Sequence, residues 1–372
     1  KHPAWQVAGW LGMLTGYLVL SFYAVIAGWA LAYVFKAAQG VFTKASAEDI
    51  GKTFDALQAS PGELMIWHSL VVIATILVVG NGVKNGLERS VRFLLPCMIV
   101  LLVCIAVYSG SIGDFSSAVS FMFEPDFSKL TVNGVMVALG HSFFTLGLAS
   151  GVVIMYGAYL PRETSIVQTS VWIAVIDTFV ALLAGLAIFP LVFGYGLTPS
   201  EGPGLIFTTL PLAFSEMPAG GFVGTVFFIM LVIAAFTSAI AMIESSVAFV
   251  SEKFSLSRWP ATLVSGGVLW LLGQLTIHSF AGSGWAQLDS EWLGKPIESL
   301  FDIIDVLTSS LLLPLGGLLL ALLAGWVMRS EFTKDELDTK KGIFDVWLLC
   351  VKYISPVAII IIFLQLIGFI KL

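Results

Sequence analysis

Apolar and polar positions are segregated into long blocks along this chain. Runs with at most one Asp, Glu, Lys or Arg recur from residue 9 to residue 370, and polar stretches separate them. Each run reaches the roughly 20 apolar residues that a bilayer-spanning helix needs, is apolar all round, and lacks the alternation typical of membrane barrels. The pattern predicts an all-α polytopic membrane protein with nine membrane helices, over residues 9–37, 63–83, 88–110, 130–160, 164–197, 217–252, 259–277, 297–328 and 343–370.

The stretches between these helices are predicted as loops, at residues 38–62 and 329–342 among others. Residues 198–216 differ, because Pro203 and Pro211 accompany an apolar stretch at 205–214. Since proline favours turns and helix starts, we predict an extracellular helical hairpin over 198–216 that caps a vestibule. A plain surface loop is the alternative.

Composition excludes several classes of protein. Of the 372 residues 58% are hydrophobic and 11% charged, about half the charge of a soluble domain. A net charge of -6 without a basic stripe excludes nucleic-acid binding. The four histidines and three cysteines have no metal-ligand spacing, and the sequence has neither a Gly-x-Ser-x-Gly elbow nor a phosphate loop. We therefore expect no enzyme.

The distribution of basic residues predicts the orientation. With the N-terminus inside, eleven of the 18 Lys and Arg residues fall on the cytoplasmic side and six outside, while Lys352 lies within a predicted helix. The positive-inside rule favours this arrangement. The N-terminus of the chain is then cytoplasmic and the C-terminus extracytoplasmic.

Asp177 is the clearest candidate for a functional charge. It lies 12 residues into a helix that begins near Ser165, which places its carboxylate about 18 Å deep, near the middle of the bilayer. An ionisable group at that depth is costly and usually lines a pathway. The alternative is a neutral carboxylic acid held by a neighbouring helix.

The run at residues 130–161 is too long for a straight helix. It would extend about 48 Å, against a hydrocarbon thickness of about 30 Å, so it must tilt or break. Gly147 and Gly151 lie in its middle and could release the backbone, which a membrane tolerates only around a cavity. Alternatively they form a Gly-x-x-x-Gly packing seam, as Gly12 and Gly16 could in the first helix.

Hydroxyl groups occur at the same depth as Asp177. Thr145, Thr237 and Ser238 lie near the middle of two further helices, and hard oxygen ligands suit an alkali cation. The alternative is that these hydroxyls only bond the carbonyl one turn back. Near the outer surface, Asp302 is explained by the helix N-terminus, whereas Asp305 lies deeper and could face a vestibule.

Seven short motifs occur in order: Ser21-Phe22-Tyr23, Gly86-Leu87-Glu88-Arg89, Phe143-Phe144-Thr145-Leu146, Tyr156-Gly157-Ala158-Tyr159, Thr208-Thr209-Leu210-Pro211, Thr237-Ser238 and Asp302-Ile303-Ile304-Asp305. Together they resemble the neurotransmitter:sodium symporter family in its bacterial amino-acid branch. The resemblance implies a leucine-transporter fold of two inverted five-helix repeats in a bacterial plasma (inner) membrane. Residues 9–35 would match the family's third helix, so we expect this chain to lack the first two of eleven.

The resemblance also implies site residues. The substrate would contact Val19, Tyr23, Phe144, Thr145, Gly147, Ser150, Ser238 and Met242, with the Tyr23 hydroxyl holding its carboxylate. A first sodium ion would bind Thr145 and Asp177, and a second would bind the Ala234 carbonyl, Thr237 and Ser238. Phe144 and Asp305 would form an outer gate, and Tyr159 and Glu252 an inner gate.

Three departures from the family pattern change these expectations. Asp177 replaces the usual Asn, and Ala181 occupies the chloride or glutamate position, so we expect transport without chloride. His141 replaces Gln one turn before Thr145 and could reach Asp177, making activity pH-sensitive; a structural histidine is the alternative. The small Gly147 and Ser150 favour a bulky apolar or aromatic substrate.

The favoured function is symport of an amino acid with sodium by alternating access, with Na+ as the coupling ion and no other cofactor. The expected partners are the amino acid, sodium ions and the lipid bilayer. The alternatives are a channel or sensor that does not concentrate solute, a transporter of the same fold for another small solute, and a chain that is inert without the first helix.

Overall fold

Helices account for most of the chain that the computed structural model describes, which is residues 3–199, 202–293 and 295–370. They are α1 (Gln6–Ala38), α2 (Ala47–Gln58), α3 (Pro61–Gly80), α4 (Arg89–Ile112), α5 (Phe115–Phe123), α6 (Val132–Thr145), α7 (Val152–Tyr159), α8 (Ile166–Gly194), α9 (Gly202–Gly204), α10 (Leu210–Glu216), α11 (Gly220–Phe254), α12 (Arg258–Phe280), α13 (Leu300–Asp305), α14 (Leu313–Leu322), α15 (Ser330–Leu337), α16 (Lys341–Leu349) and α17 (Ser355–Leu366). Strands β1 (Gln287–Trp292) and β2 (Lys295–Ser299) pair antiparallel.

π-helical turns join or extend several of these helices into longer stretches, at Val83–Glu88, Leu205–Thr209, Val306–Leu312, Leu323–Val327 and Cys350–Ile354. Eight stretches of the described residues are long and apolar enough to cross a membrane. The all-α polytopic class that the sequence predicts is therefore confirmed.

The helix predicted over residues 130–160 is broken in the middle. α6 ends at Thr145 and α7 begins at Val152, and between them Gly147, Ala149 and Gly151 have φ angles of 61°, 66° and 76°. This left-handed region is open to glycine and cannot continue a right-handed helix. The predicted break is confirmed. Gly147 and Gly151 therefore do not form a Gly-x-x-x-Gly seam along a helix, although Gly151 packs closely on α1, where an added Cβ would lie 2.8 Å from the Gly12 carbonyl carbon.

The core of the bundle surrounds α1, which packs against α3, α11 and α12. Trp29 and Tyr33 are among its largest fully buried side chains. The Tyr33 ring contacts the rings of Phe42, Phe207 and Phe228 at centroid distances of 5.2, 5.0 and 5.0 Å. Its hydroxyl donates to the Phe207 carbonyl at 3.1 Å, so this tyrosine fixes the helical segment 202–216 to the core. Residues 200 and 201 of the predicted hairpin lie outside the described residues.

The segment 38–62, predicted as a polar loop, contains the helix α2. Its start is a capping box in which Ser46 and Asp49 satisfy each other's backbone N–H groups. Ile50 and Leu57 on one face of the helix are fully buried. The prediction of a loop was wrong because helices were predicted only from long runs with almost no charged residues. α2 is instead a short amphipathic helix with charges on its outer face.

The predicted helix 297–328 starts later than expected, at Leu300. Residues 297–299 belong to β2, and a second capping box pairs Ser299 with Asp302. The Asp302 carboxylate accepts hydrogen bonds from the backbone N–H groups of Glu298 and Ser299. The structural explanation of Asp302 given by the sequence is thus confirmed.

Replacing Tyr33 with Phe tests the link between α1 and the segment 202–216. The variant leaves the Phe207 carbonyl buried without its donor, which costs about 1 to 3 kcal/mol, so we expect a lower melting temperature in detergent. Tyr353→Phe is the matched control, because the Tyr353 side chain is 50% exposed. Equal melting temperatures for the two variants would contradict the prediction.

Candidate ion and substrate site

A cavity of about 490 Å³ lies where α1, the broken helix and α11 meet. Its lining residues are Gly16, Val19, Tyr23, His141, Phe144, Thr145, Leu146, Gly147, Ser150, Val152, Val153, Ser238, Ala241, Met242 and Leu313. All eight residues that the sequence suggests for the substrate are among them. We call this space the central cavity.

Helical spacing explains how two of the walls form. Val19 and Tyr23 are four residues apart on α1, and Ser238 and Met242 are four apart on α11, so each pair shares one helix face. Since α1 and α11 pack along each other, these faces meet at the cavity, where the Tyr23 hydroxyl and the Ser238 side chain face each other. Polar oxygens and apolar side chains thus line the same space.

The break in the helix supplies the third wall. Gly147 and Ser150 come from the unwound segment, and the Ser150 hydroxyl donates to the Gly147 carbonyl at 2.7 Å. α6 ends at Thr145 and α7 begins at Val152, both beside the cavity. The C-terminal end of a helix carries partial negative charge and the N-terminal end partial positive charge. The cavity is therefore bordered by one helix end that favours a cation and one that favours an anion.

Thr145 connects the central cavity to Asp177. The Thr145 hydroxyl donates to the Asp177 carboxylate at 3.3 Å, across α6 and α8. Asp177 lies near the middle of α8 and is half-buried. A carboxylate and a hydroxyl are hard oxygen ligands of the kind an alkali cation prefers. The structure thus brings together the two side chains suggested for the first sodium ion.

The second suggested ion site lies on α11. The Thr237 hydroxyl donates to the Ala234 carbonyl at 2.9 Å, one turn back along the same helix. This is the backbone bonding that the sequence analysis kept as the alternative for Thr237. Of the three residues, Ser238 lines the central cavity, and Ala234 and Thr237 do not.

His141 does not bond Asp177. Within the described part of the chain it makes no hydrogen bond, and it lines both the central cavity and a second cavity of about 420 Å³. Phe144 and Leu313 also line both spaces, so the three side chains form a partition between them. Phe144, suggested as an outer gate, is 49% exposed.

Asp305, the other suggested outer-gate residue, ends α13 where the π-helical turn Val306–Leu312 begins. Its backbone carbonyl accepts hydrogen bonds from the hydroxyls of Thr308 and Ser309. Lys295, on β2, donates to the Ser310 hydroxyl at 2.9 Å and lines the second cavity. Lys295, which the sequence did not single out, is thus bonded to the π-helical turn that directly follows Asp305.

The suggested inner-gate residues, Tyr159 and Glu252, line a third cavity of about 590 Å³ together with Gln6 and Trp10. The Tyr159 hydroxyl, however, donates to the Glu244 carboxylate at 3.0 Å. Among the described residues, Glu252 takes no part in a hydrogen bond or ion pair, and it is exposed.

Glu244 is the centre of a buried ionic network. Its side chain is 1% exposed and forms a two-point ion pair with Arg258, with the Arg258 Nη1 at 2.8 Å from Oε1 and Nη2 bonded to Oε2. The Arg258 Nε donates to the Val79 carbonyl at 3.0 Å. With Tyr159, the network joins α3, α7, α11 and α12.

Sequence reasoning missed Glu244 and Arg258 because they lie just outside the charge-free runs that end at residue 243 and begin at residue 259. A usable signal was present, since Glu244 lies eight residues inside the predicted helix 217–252. An acid at that position needs a partner, and the first basic residue of the next helix is the nearest in sequence outside α11.

Replacing Arg258 with Met tests this network. Removing one partner leaves a buried unpaired carboxylate, which typically costs about 3 to 5 kcal/mol, so the melting temperature should fall strongly. The double variant Glu244→Gln/Arg258→Met should recover part of the loss. Arg92→Met is the control, because the Arg92–Glu88 pair is 79% and 50% exposed and worth little. If the melting temperature falls by a similar amount in Arg258→Met and Arg92→Met, the buried ion pair contributes no more to stability than an exposed one, and the prediction is wrong.

Known proteins resemble this chain in sequence and in fold over almost its whole length. The model of the Sodium:neurotransmitter symporter family matches residues 42–371. Sodium-dependent transporter YhdH of Bacillus subtilis is 34% identical over 371 residues, which cover 99% of this chain and 81% of YhdH. A sodium-dependent transporter of Haemophilus influenzae is 32% identical, over 97% of this chain and 79% of the relative.

Among solved structures, MhsT in complex with L-phenylalanine matches with a TM-score of 0.87 and 40% identity, over 98% of this chain and 82% of MhsT. Family model, relatives and structure agree. The chain therefore belongs to the sodium:neurotransmitter symporter family, whose members are multi-pass membrane transporters that couple sodium to a small-molecule substrate and are not enzymes.

Proposed function

We propose that this protein takes up an apolar or aromatic amino acid together with sodium by alternating access. The observation that carries the proposal is the central cavity, in which oxygen groups and apolar side chains line one space that Thr145 connects to Asp177. A pocket of this kind suits a molecule with charged groups at one end and an apolar side chain at the other.

The size of the cavity supports a large substrate side chain. Its volume is about 490 Å³, and glycine or serine stands at positions 16, 147 and 150 of its lining. MhsT, 40% identical, was solved with L-phenylalanine. An aromatic amino acid is therefore the first substrate to test.

The charge of Asp177 couples the movement of sodium to that of the substrate. An empty site leaves the Asp177 carboxylate without a cation in a region of low dielectric, where closure around it is costly. A sodium ion bound by Thr145 and Asp177 neutralises that charge and provides a positive pole for the substrate carboxylate, which the Tyr23 hydroxyl also holds. The occupied site closes at lower cost than the empty one, so ion and substrate move together.

Two gates control access in this proposal. Phe144 and Asp305 close the outer side, with Phe144 acting through its partition between two cavities. Tyr159 and Glu252 close the inner side, where Tyr159 donates to Glu244, which is itself paired with Arg258. The membrane is a bacterial plasma membrane, with the first residues of the chain on the cytoplasmic side and the last outside.

Uptake into proteoliposomes tests the function. With an inward sodium gradient, labelled phenylalanine should accumulate above its external concentration, and a sodium ionophore or replacement of sodium by potassium should abolish accumulation. Competition by a panel of amino acids, sugars and organic cations identifies the solute class. Equilibration without accumulation would instead indicate a channel, and competition by a solute of another class would replace the amino acid.

Chloride replacement tests the role of Asp177. Because Asp177 places a fixed negative charge beside the first sodium site, uptake should be equal in chloride and gluconate buffers at the same sodium concentration. Potassium gluconate against potassium chloride, both without sodium, gives the background. A strict chloride requirement would show that the Asp177 charge does not serve this purpose.

A further inference from the structure

The unwound segment between α6 and α7 is held from two sides by glycines of other helices. Every second residue of the segment has left-handed backbone, because the φ angles of Gly147, Ala149 and Gly151 are positive. Ala149 is 5% exposed and is the one non-glycine residue of the three, although alanine rarely adopts this conformation. Neighbouring contacts must therefore fix it there.

On one side the segment lies directly on α1. A Cβ atom added at Gly16 would lie 2.3 Å from the Ser150 carbonyl oxygen. At Gly12, one turn earlier, an added Cβ would lie 3.0 Å from the Ala149 carbonyl oxygen and 3.0 Å from the Gly151 nitrogen. Real Cβ atoms do not approach a backbone oxygen to 2.3 Å, so the backbone of residue 150 occupies space that exists only because residue 16 is glycine.

On the other side the segment lies on α14. A Cβ added at Gly316 would lie 3.1 Å from the Ala149 Cβ and 3.5 Å from its carbonyl oxygen. Contact with α14 therefore prevents the unwound segment from moving away from α1. The segment is clamped between two helices at Gly12, Gly16 and Gly316, which we call the glycine clamp.

The clamp bears on the substrate because it shares residues with the central cavity. Gly16, Gly147 and Ser150 all line that space, and Val19, three residues after Gly16 on α1, does too. A methyl group at residue 16 would therefore enter the cavity wall and displace Ser150 at once. Gly9, on the same helix, has open space around its Cβ position and lines the third cavity, not the central cavity.

We propose that Gly16 is a specificity-determining residue: by admitting the Ser150 backbone against α1, it sets the room available to the substrate side chain. This inference rests on the proposed function, since it assumes that an amino acid occupies the central cavity. Gly16→Ala narrows the cavity beside Val19 and Ser150, so large side chains lose more affinity than small ones.

The test compares binding of phenylalanine and alanine, in sodium, to purified Gly16→Ala, Gly9→Ala and wild-type protein. We expect Gly16→Ala to weaken phenylalanine binding about tenfold or more while alanine binding changes by less than about threefold. Gly9→Ala should behave as wild type. Gly12→Ala, with contacts at 3.0 Å rather than 2.3 Å, is the milder second variant and should shift selectivity in the same direction.

If Gly16→Ala weakens the binding of phenylalanine and alanine equally, the role of Gly16 is purely structural and the inference is overturned. Unchanged binding of both amino acids also overturns it. If Gly16→Ala does not fold, unchanged selectivity in Gly12→Ala overturns it. If the wild-type protein binds neither amino acid in sodium, the proposed function fails together with the inference. If the wild type binds them and the variants show no change in selectivity, only the inference fails.

Discussion

The structure depends on one constraint, which is the placement of an unwound backbone inside an apolar bundle. Peptide groups released from a helix cost several kcal/mol in a membrane unless they are bonded or line a polar cavity. Residues 146–151 meet this condition by local turns, such as the bond from the Leu148 N–H to the Phe143 carbonyl, and by lining the central cavity. The cavity and the break are therefore two aspects of one feature.

The surroundings of two acidic residues, the buried Glu244 and the half-buried Asp177, give them different roles. Glu244 accepts from both Nη atoms of Arg258 and from the Tyr159 hydroxyl, so its charge is fully used in holding four helices together. Asp177 has a single neutral donor, Thr145, and no ion pair among the described residues. A carboxylate with spare lone pairs beside a cavity is available to a cation, whereas a carboxylate already paired with arginine is not.

The sequence predicts most of the fold, because membrane helices depend on one variable, the length of an apolar run. The break at Gly147 and Gly151 was also predictable, since residues 130–161 exceed the membrane thickness. Spacing places Val19 with Tyr23, and Ser238 with Met242, on one helix face each, but the meeting of the two faces at one cavity was predicted from the family resemblance. The Glu244–Arg258 pair and α2 were missed because counting charge-free runs discards whatever lies at their borders.

The two halves of the broken helix are anchored to different charges, and this arrangement bears on the coupling proposed for this protein. α6 ends on Asp177 through Thr145, and α7 ends on Glu244 through Tyr159. In the proposed mechanism, a sodium ion bound by both Thr145 and Asp177 bridges α6 and α8, where the hydrogen bond alone joins them in the empty site, and it leaves the Glu244 network intact. In the proposed mechanism, ion binding therefore changes the attachment of one half only, and the difference between the halves must be absorbed by the glycine-flanked segment that lines the substrate cavity.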